Sequence, residues 1–90
     1  MPERSPAQVA ADDATAGRVY AALDDNPIYF FRYVDVSVDN GVARLSGVVW
    51  TTDALYEAQK IARNVPGVIA VHDELELARA ARRGGGDGGN

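Results

Sequence analysis

Apolar residues in the first third of the chain recur at the spacing of an amphipathic helix. They stand at i, i+3, i+4 and i+7, which places them on one helical face. These residues are Ala16, Val19, Tyr20 and Leu23. We predict a helix over residues 13–25, because Pro27 disfavours the helical conformation of the residue before it. Residues 1–11 show no such period, and we predict that they form a disordered N-terminal segment.

A period of two follows over residues 33–39, where valines alternate with polar side chains, and it predicts a half-buried β-strand. Asn40-Gly41 comes next and is a strong hairpin signal, because both central positions of a type I′ turn need positive φ. The second strand is predicted over residues 42–50. A two-residue loop fixes the register. The predicted pairs include Val34–Gly47, Tyr33–Val48 and, if pairing extends that far, Phe31–Trp50.

A second helix is predicted over about residues 52–64, with Thr51 as its N-cap and Pro66-Gly67 as its stop signal. Its apolar stripe consists of Leu55, Ala58, Ile61, Ala62 and Val65. Residues 68–77 form a third predicted strand, in which Asp73 interrupts the apolar positions. The order of elements predicts an α+β fold, an αββαβ two-layer sandwich with two helices packed on one face of a three-stranded sheet. The order of strands within the sheet stays open.

The run NGVARLSGVVW, a helix, and then VPGVIAVHDELEL resembles the BON domain of bacterial envelope and osmotic-stress proteins. The pattern of that family is G-x-V-x-L-x-G-x-V, a helix, and V-x-G-V-x-x-V-x-N-x-L-x-V. The matching residues are Gly41, Leu45, Gly47, Val49, Val65, Gly67, Val68, Val71, Leu75 and Leu77. Ala43 and Asp73 depart from the pattern. The resemblance covers residues 13–77.

The resemblance implies an αββαβ sandwich and a non-enzymatic module of the cell envelope that binds phospholipid or another envelope component. The family has no fixed catalytic residues, so none is carried over to this chain. We therefore place a BON-like domain at residues 12–77. Residues 78–90 are predicted to form a flexible tail, first basic and then glycine-rich.

Three glycines have predicted structural roles. Gly41 completes the hairpin turn, and Gly67 helps to end the second helix. Gly47 is predicted to point toward the helices opposite Val34, where the absence of a side chain lets a helix approach the sheet closely.

The predicted domain is acidic. Residues 12–77 carry five basic and eleven acidic side chains, a net charge of −6. This charge repels phosphate backbones, so we expect no nucleic-acid partner and only weak binding to anionic lipid. No apolar run approaches the length of a membrane span, and no cysteine is present.

The compartment depends on whether a leader peptide has been removed. Arg4 is followed by no apolar segment of the kind found in a signal peptide. The loose, Pro- and Ala-containing start resembles the beginning of a mature exported protein. We therefore expect a periplasmic protein if a leader has been removed, and a cytoplasmic protein otherwise.

Side chains with catalytic or metal-binding chemistry are few. His72, Glu74 and Glu76 share one strand face, but successive positions on a face lie ~6.6 Å apart, too far for compact chelation. The pairs Asp12-Asp13 and Asp24-Asp25 are expected to be solvated at helix ends. Ser46 and the single histidine have no oxyanion hole or nucleophile elbow beside them. We expect no cofactor, no metal site and no enzymatic activity.

The segment NPIYFFRYVDV, residues 26–36, contains four of the seven aromatic residues. Ile28 or Phe30 is expected to cap the core. Strand parity places other members on the sheet face away from the helices. This predicts an interaction patch made of Phe31, Tyr33, Val48 and Trp50.

Several occupants of this patch stay open at this point. The first is an envelope partner, either a protein or phospholipid. The second is another copy of the chain, because a homodimer would also enlarge a small core. The third is one of the protein's own termini.

Overall fold

The computed structural model describes residues 4–78, and in it two helices pack on one face of a three-stranded sheet. In chain order the elements are α1 (Pro6–Asp24), β1 (Val34–Asp39), β2 (Val42–Val49), α2 (Thr52–Arg63) and β3 (Ala70–Leu77). The predicted fold class and element order are confirmed. The strand order is β1-β2-β3, with β1 antiparallel and β3 parallel to β2. Residues 79–90 of the predicted tail lie outside the described residues.

The first helix begins much earlier than predicted. Ser5 is its N-cap, and the Ser5 side chain accepts a hydrogen bond of 3.0 Å from the backbone amide of Gln8. Pro6 occupies the first turn, where its missing N–H costs nothing. Residues 6–11 are therefore helical, and their assignment to a disordered segment was wrong. The start of this helix is marked by the capping sequence Ser5-Pro6, because the small residues that follow show no apolar period.

The hairpin follows the predicted register. Val34 pairs with Gly47, and the ladder continues to the pair Asp39–Val42. Asn40 and Gly41 both have positive φ, 52° and 83°, as a type I′ turn requires. Beyond the strand end, the amide of Val48 still donates to the carbonyl of Tyr33 at 3.1 Å. The turn chemistry of two residues thus sets the face on which each hairpin side chain lies.

The core lies between the sheet and the two helices. Its buried members are Val19, Leu23, Phe31, Val34, Val36, Val38, Ala43, Leu45, Val49, Ala54, Ala58, Ala62 and Val65. The second helix buries three alanines, whereas Leu55 and Ile61 of the predicted stripe are only half-buried. Small side chains at the centre of this contact let the helix axis lie close to the sheet.

Gly47 is constrained by the backbone of its neighbouring strand and not by the helices. Its φ is +113°, a conformation that residues with a side chain rarely adopt. A β-carbon at this position would collide with the carbonyl oxygen of Tyr33 and lie 3.3 Å from the Cα of Val34. The predicted reason for this glycine, close approach of a helix, was therefore wrong.

The outer edge of β1 is covered by side chains from the N-terminal part of the chain. The hydroxyl of Tyr20 accepts a hydrogen bond of 2.9 Å from the amide of Val36. Arg4 donates through Nη1 to the carbonyl of Val38 at 3.2 Å. These contacts satisfy backbone groups that would otherwise be free to pair with another strand.

Candidate interaction surface

Two consecutive turns decide which aromatic residues enter the core. In the first, Oδ1 of Asn26 accepts from the amides of Ile28 and Tyr29 at 2.9 and 2.8 Å. In the second, the amide of Val34 donates to the carbonyl of Phe31 at 3.2 Å. The chain therefore turns immediately before β1. The two-residue alternation of the strand does not extend back to residue 31.

Phe31 is consequently a core residue. It is 8% exposed, and its ring lies 6.2 Å from that of the half-buried Tyr29. Its predicted place in the interaction patch was wrong. Ile28 or Phe30 was expected in the core. Both side chains are exposed, so this expectation was also wrong.

Phe30 takes the place on the surface that was predicted for Phe31. The ring of Trp50 lies 5.6 Å from Tyr33 and 6.3 Å from Phe30, centroid to centroid. Val48 stands next to Tyr33 across the hairpin and is half-buried. We call Phe30, Tyr33, Val48 and Trp50 the aromatic cluster. It contains three of the four residues predicted for the patch.

The remainder of the open sheet face is polar. The parallel pairing of β2 with β3 places Ser46 beside Glu74 and Val48 beside Glu76. Oε2 of Glu74 lies 3.7 Å from Nε of Arg44, which forms an ion pair with it, and 3.1 Å from Nε2 of His72, within hydrogen-bond distance. This part of the face is a solvated polar surface, in which Glu74 has a positive charge beside it.

The predicted acid and histidine positions do not converge on one point. His72 contacts Glu74, while Glu76 lies beside Val48. Across residues 4–78, no three His, Asp or Glu side chains are arranged to hold a metal ion. Ser46 has Glu74 as its neighbour on β3, and His72 has Arg44. The absence of enzymatic activity stays a prediction.

A cleft of about 460 Å³ opens beside the aromatic cluster, between the end of α1 and the loop before β1. Phe30 and Arg32 form part of its wall, opposite Tyr20 and Asp24. The guanidinium of Arg32 lies 5.4 Å from the ring centroid of Phe30. This distance is that of a cation–π contact, and Phe30 takes part in both the cleft and the aromatic cluster.

Asp12 is a buried carboxylate that joins the first helix to the hairpin turn. It is 2% exposed. Its Oδ2 accepts from the amide of Asn40 at 2.7 Å and from Nη1 of Arg4 at 2.9 Å. Its Oδ1 accepts from Nε2 of Gln8 at 2.9 Å and from the amide of Gly41 at 3.1 Å. Asp12 therefore positions the hairpin against the helix.

The electrostatics of Asp12 follow from these bonds. Burial raises its pKa, but the hydrogen bonds from Arg4, Asn40, Gln8 and Gly41 outweigh burial and lower the pKa from 3.8 to about 2. The expectation of a solvated carboxylate was wrong. Asp12 is in phase with the buried side of α1, four residues before Ala16, and this was the signal available in the sequence.

Known proteins resemble this chain over most of its length. The sequence model of the BON domain matches residues 11–79. Osmotically-inducible protein Y of Escherichia coli strain K12 is 37% identical over 73 residues, which cover 81% of this chain and 36% of that protein. The chain therefore spans little more than a third of that relative. Neither helix described within residues 4–78 is both long and apolar enough to cross a membrane.

Proposed function

The chain belongs to the BON domain family, and on this basis we propose that it is a non-enzymatic interaction module of the bacterial cell envelope. It binds a partner through the aromatic cluster. The name of the relative, an osmotically-inducible protein, supports a role in osmotic or envelope stress. The proposed compartment is the periplasm, after removal of a leader.

The exposure of the aromatic cluster carries this proposal. Phe30, Tyr33 and Trp50 are 59%, 54% and 48% exposed, although Trp50 lies against both of the other rings. Large aromatic side chains are enriched in the centres of protein interfaces, where they dominate the binding free energy. Within residues 4–78, neither helix covers this side of the sheet.

The charge of the domain favours a protein partner over an anionic bilayer. The five basic and eleven acidic side chains of residues 12–77 leave a net charge of −6. Each unfavourable charge near an anionic surface costs up to ~1 kcal/mol. A flat sheet face also inserts its rings less deeply than the apolar side of an amphipathic helix.

Site-specific photo-cross-linking tests the proposal. A photoreactive amino acid replaces Tyr33 or Trp50 in bacteria that produce the exported protein, and cells are irradiated before and after an osmotic upshift. Tyr56 is the matched control, because it is an exposed aromatic residue on α2. We expect one discrete adduct from both cluster positions, stronger after the upshift, and none from Tyr56.

The mass of the adduct separates the partners. An adduct with another envelope protein supports the proposal. An adduct of twice the mass of the chain would replace it with a homodimer closed through the open sheet face. Equal adducts from Tyr56, or none from the cluster, would contradict a binding role for the aromatic cluster.

A further inference from the structure

Two carboxylates flank the aromatic cluster and lack a cationic partner within residues 4–78. Glu76 stands next to Val48 on β3, and Asp35 lies two residues along β1 from Tyr33, on the same face. Both are exposed, and neither forms an ion pair in the described part of the chain. Glu74, two residues before Glu76 on the same strand face, differs because it forms an ion pair with Arg44.

The aromatic cluster already binds one guanidinium. Arg32 lies over the ring of Phe30 at 5.4 Å, which is a cation–π contact. The rings of Tyr33 and Trp50 carry no such cation within the described residues. A ring face next to a carboxylate suits arginine, because the planar guanidinium stacks on the ring while its N–H groups reach the carboxylate.

We propose that the partner presents a basic peptide segment to this face, with arginine or lysine side chains that pair with Asp35 and Glu76. The apolar side chain between the two bases packs on Val48 and the adjacent Tyr33, one two-residue step along the strand from Trp50. The inference rests on the proposed function, because it names the chemistry of the partner that the aromatic cluster binds. The same two carboxylates repel acidic peptides and anionic headgroups, so charge sets the specificity of the surface.

The sheet geometry gives the spacing of the two bases. Asp35 and Glu76 are separated by two strand spacings of ~4.8 Å and by one two-residue step of ~6.7 Å along the strands, about 12 Å between backbones. An extended peptide advances ~3.3 Å per residue. Two basic residues four positions apart are therefore separated by about 13 Å and lie on the same side of the peptide. An Arg-x-x-x-Arg segment matches both carboxylates.

Trp50 is the single tryptophan of the chain and reports binding directly. The full chain is titrated with the capped peptide RSLSR while Trp50 fluorescence is followed. Capped ESLSE, with the opposite charge, is the control. We expect a saturable change in emission with RSLSR that weakens as salt is raised, and none with ESLSE. Equal responses to the two peptides would overturn the proposal.

Neutral variants locate the contact. The double variant Asp35→Asn/Glu76→Gln should weaken binding of RSLSR about tenfold, since each exposed ion pair contributes modestly. The control Asp13→Asn/Asp53→Asn removes the same charge from exposed positions on the two helices. It should change the affinity less than about twofold, because both residues lie on the helices and not on the open sheet face that would bind the peptide. Equal weakening by both variants would overturn the proposal in favour of attraction to the overall charge.

Failure of this inference is distinct from failure of the proposed function. A cross-linked partner at Tyr33 and Trp50, combined with no binding of RSLSR, would leave the binding face in place and reject its basic ligand. A blue shift of Trp50 emission on addition of anionic phospholipid vesicles alone, but not of neutral vesicles, would also reject it and identify lipid as the ligand.

Discussion

Gly47→Ala should destabilise the domain strongly, although it adds a single methyl group. The residue lies within β2 with φ of +113°. The new β-carbon would be directed into the carbonyl oxygen of Tyr33, a backbone atom that no side-chain rotation can move away. Either the backbone of β2 must change conformation or β1 must shift.

The magnitude follows from two contributions. A side chain held in a sparsely populated backbone conformation costs ~1–3 kcal/mol. Displacement of Tyr33 also endangers the hydrogen bond from the amide of Val48, 3.1 Å long, which is worth ~0.5–1.5 kcal/mol. We expect a loss of about 2–4 kcal/mol in the free energy of unfolding. For a domain of this size the corresponding fall in Tm is roughly 10–30 °C.

Urea unfolding followed by far-UV circular dichroism measures this loss, and a second substitution identifies its cause. If the Tyr33 backbone is the obstacle, Gly47→Ala already causes most of the loss, and Gly47→Val adds to it because a β-branched residue tolerates positive φ even less. The control is Gly17→Ala, at a helical position where the added carbon meets no group outside its own stretch of helix backbone within 4 Å, which should stabilise by about 0.5–1 kcal/mol. The reasoning would be refuted if the free energy of unfolding of Gly47→Ala were within about 0.5 kcal/mol of wild type while that of Gly47→Val were much lower. That result would mean that the added side chain collides with the helices and not with the Tyr33 backbone.

Three further outcomes are expected. The pKa of Asp12 falls from 3.8 to about 2 on folding, so ionised Asp12 stabilises the folded state. This contribution to the free energy of unfolding is complete above pH 3.8 and is lost as the pH falls toward 2. The stability difference between wild type and Asp12→Asn should shrink from about pH 5 to pH 2, and a constant difference would contradict this. Tyr20→Phe removes the acceptor of the Val36 amide and should cost about 1 kcal/mol in urea unfolding; an unchanged midpoint would argue against that bond. In vesicle co-sedimentation the intact chain should bind anionic lipid weakly. The affinity should be lost in high salt or on deletion of residues 78–90, whereas strong, salt-insensitive binding would make lipid the primary ligand.

Local chemistry determined much of this fold. The register of the hairpin depends on Asn40 and Gly41, and the second helix begins at Thr51, whose side chain accepts from the amide of Ala54 at 3.0 Å. Each signal acts within a few residues, so it can be read without knowledge of the rest of the chain. The family pattern adds the arrangement of the elements. Tyr33, Val48 and Trp50 could therefore be assigned to one surface from the sequence.

The tertiary structure decided what depends on distant groups or on the path between elements. The exchange of Phe30 and Phe31 results from a turn closed by the Val34 amide, which shifts the alternation by one residue. Asp12 is buried because the amides of the hairpin turn, 28 and 29 residues away, need an acceptor at that end of α1. A carboxylate near the start of a helix is ordinarily solvated, and only packing against those amides makes this one a buried link between helix and hairpin.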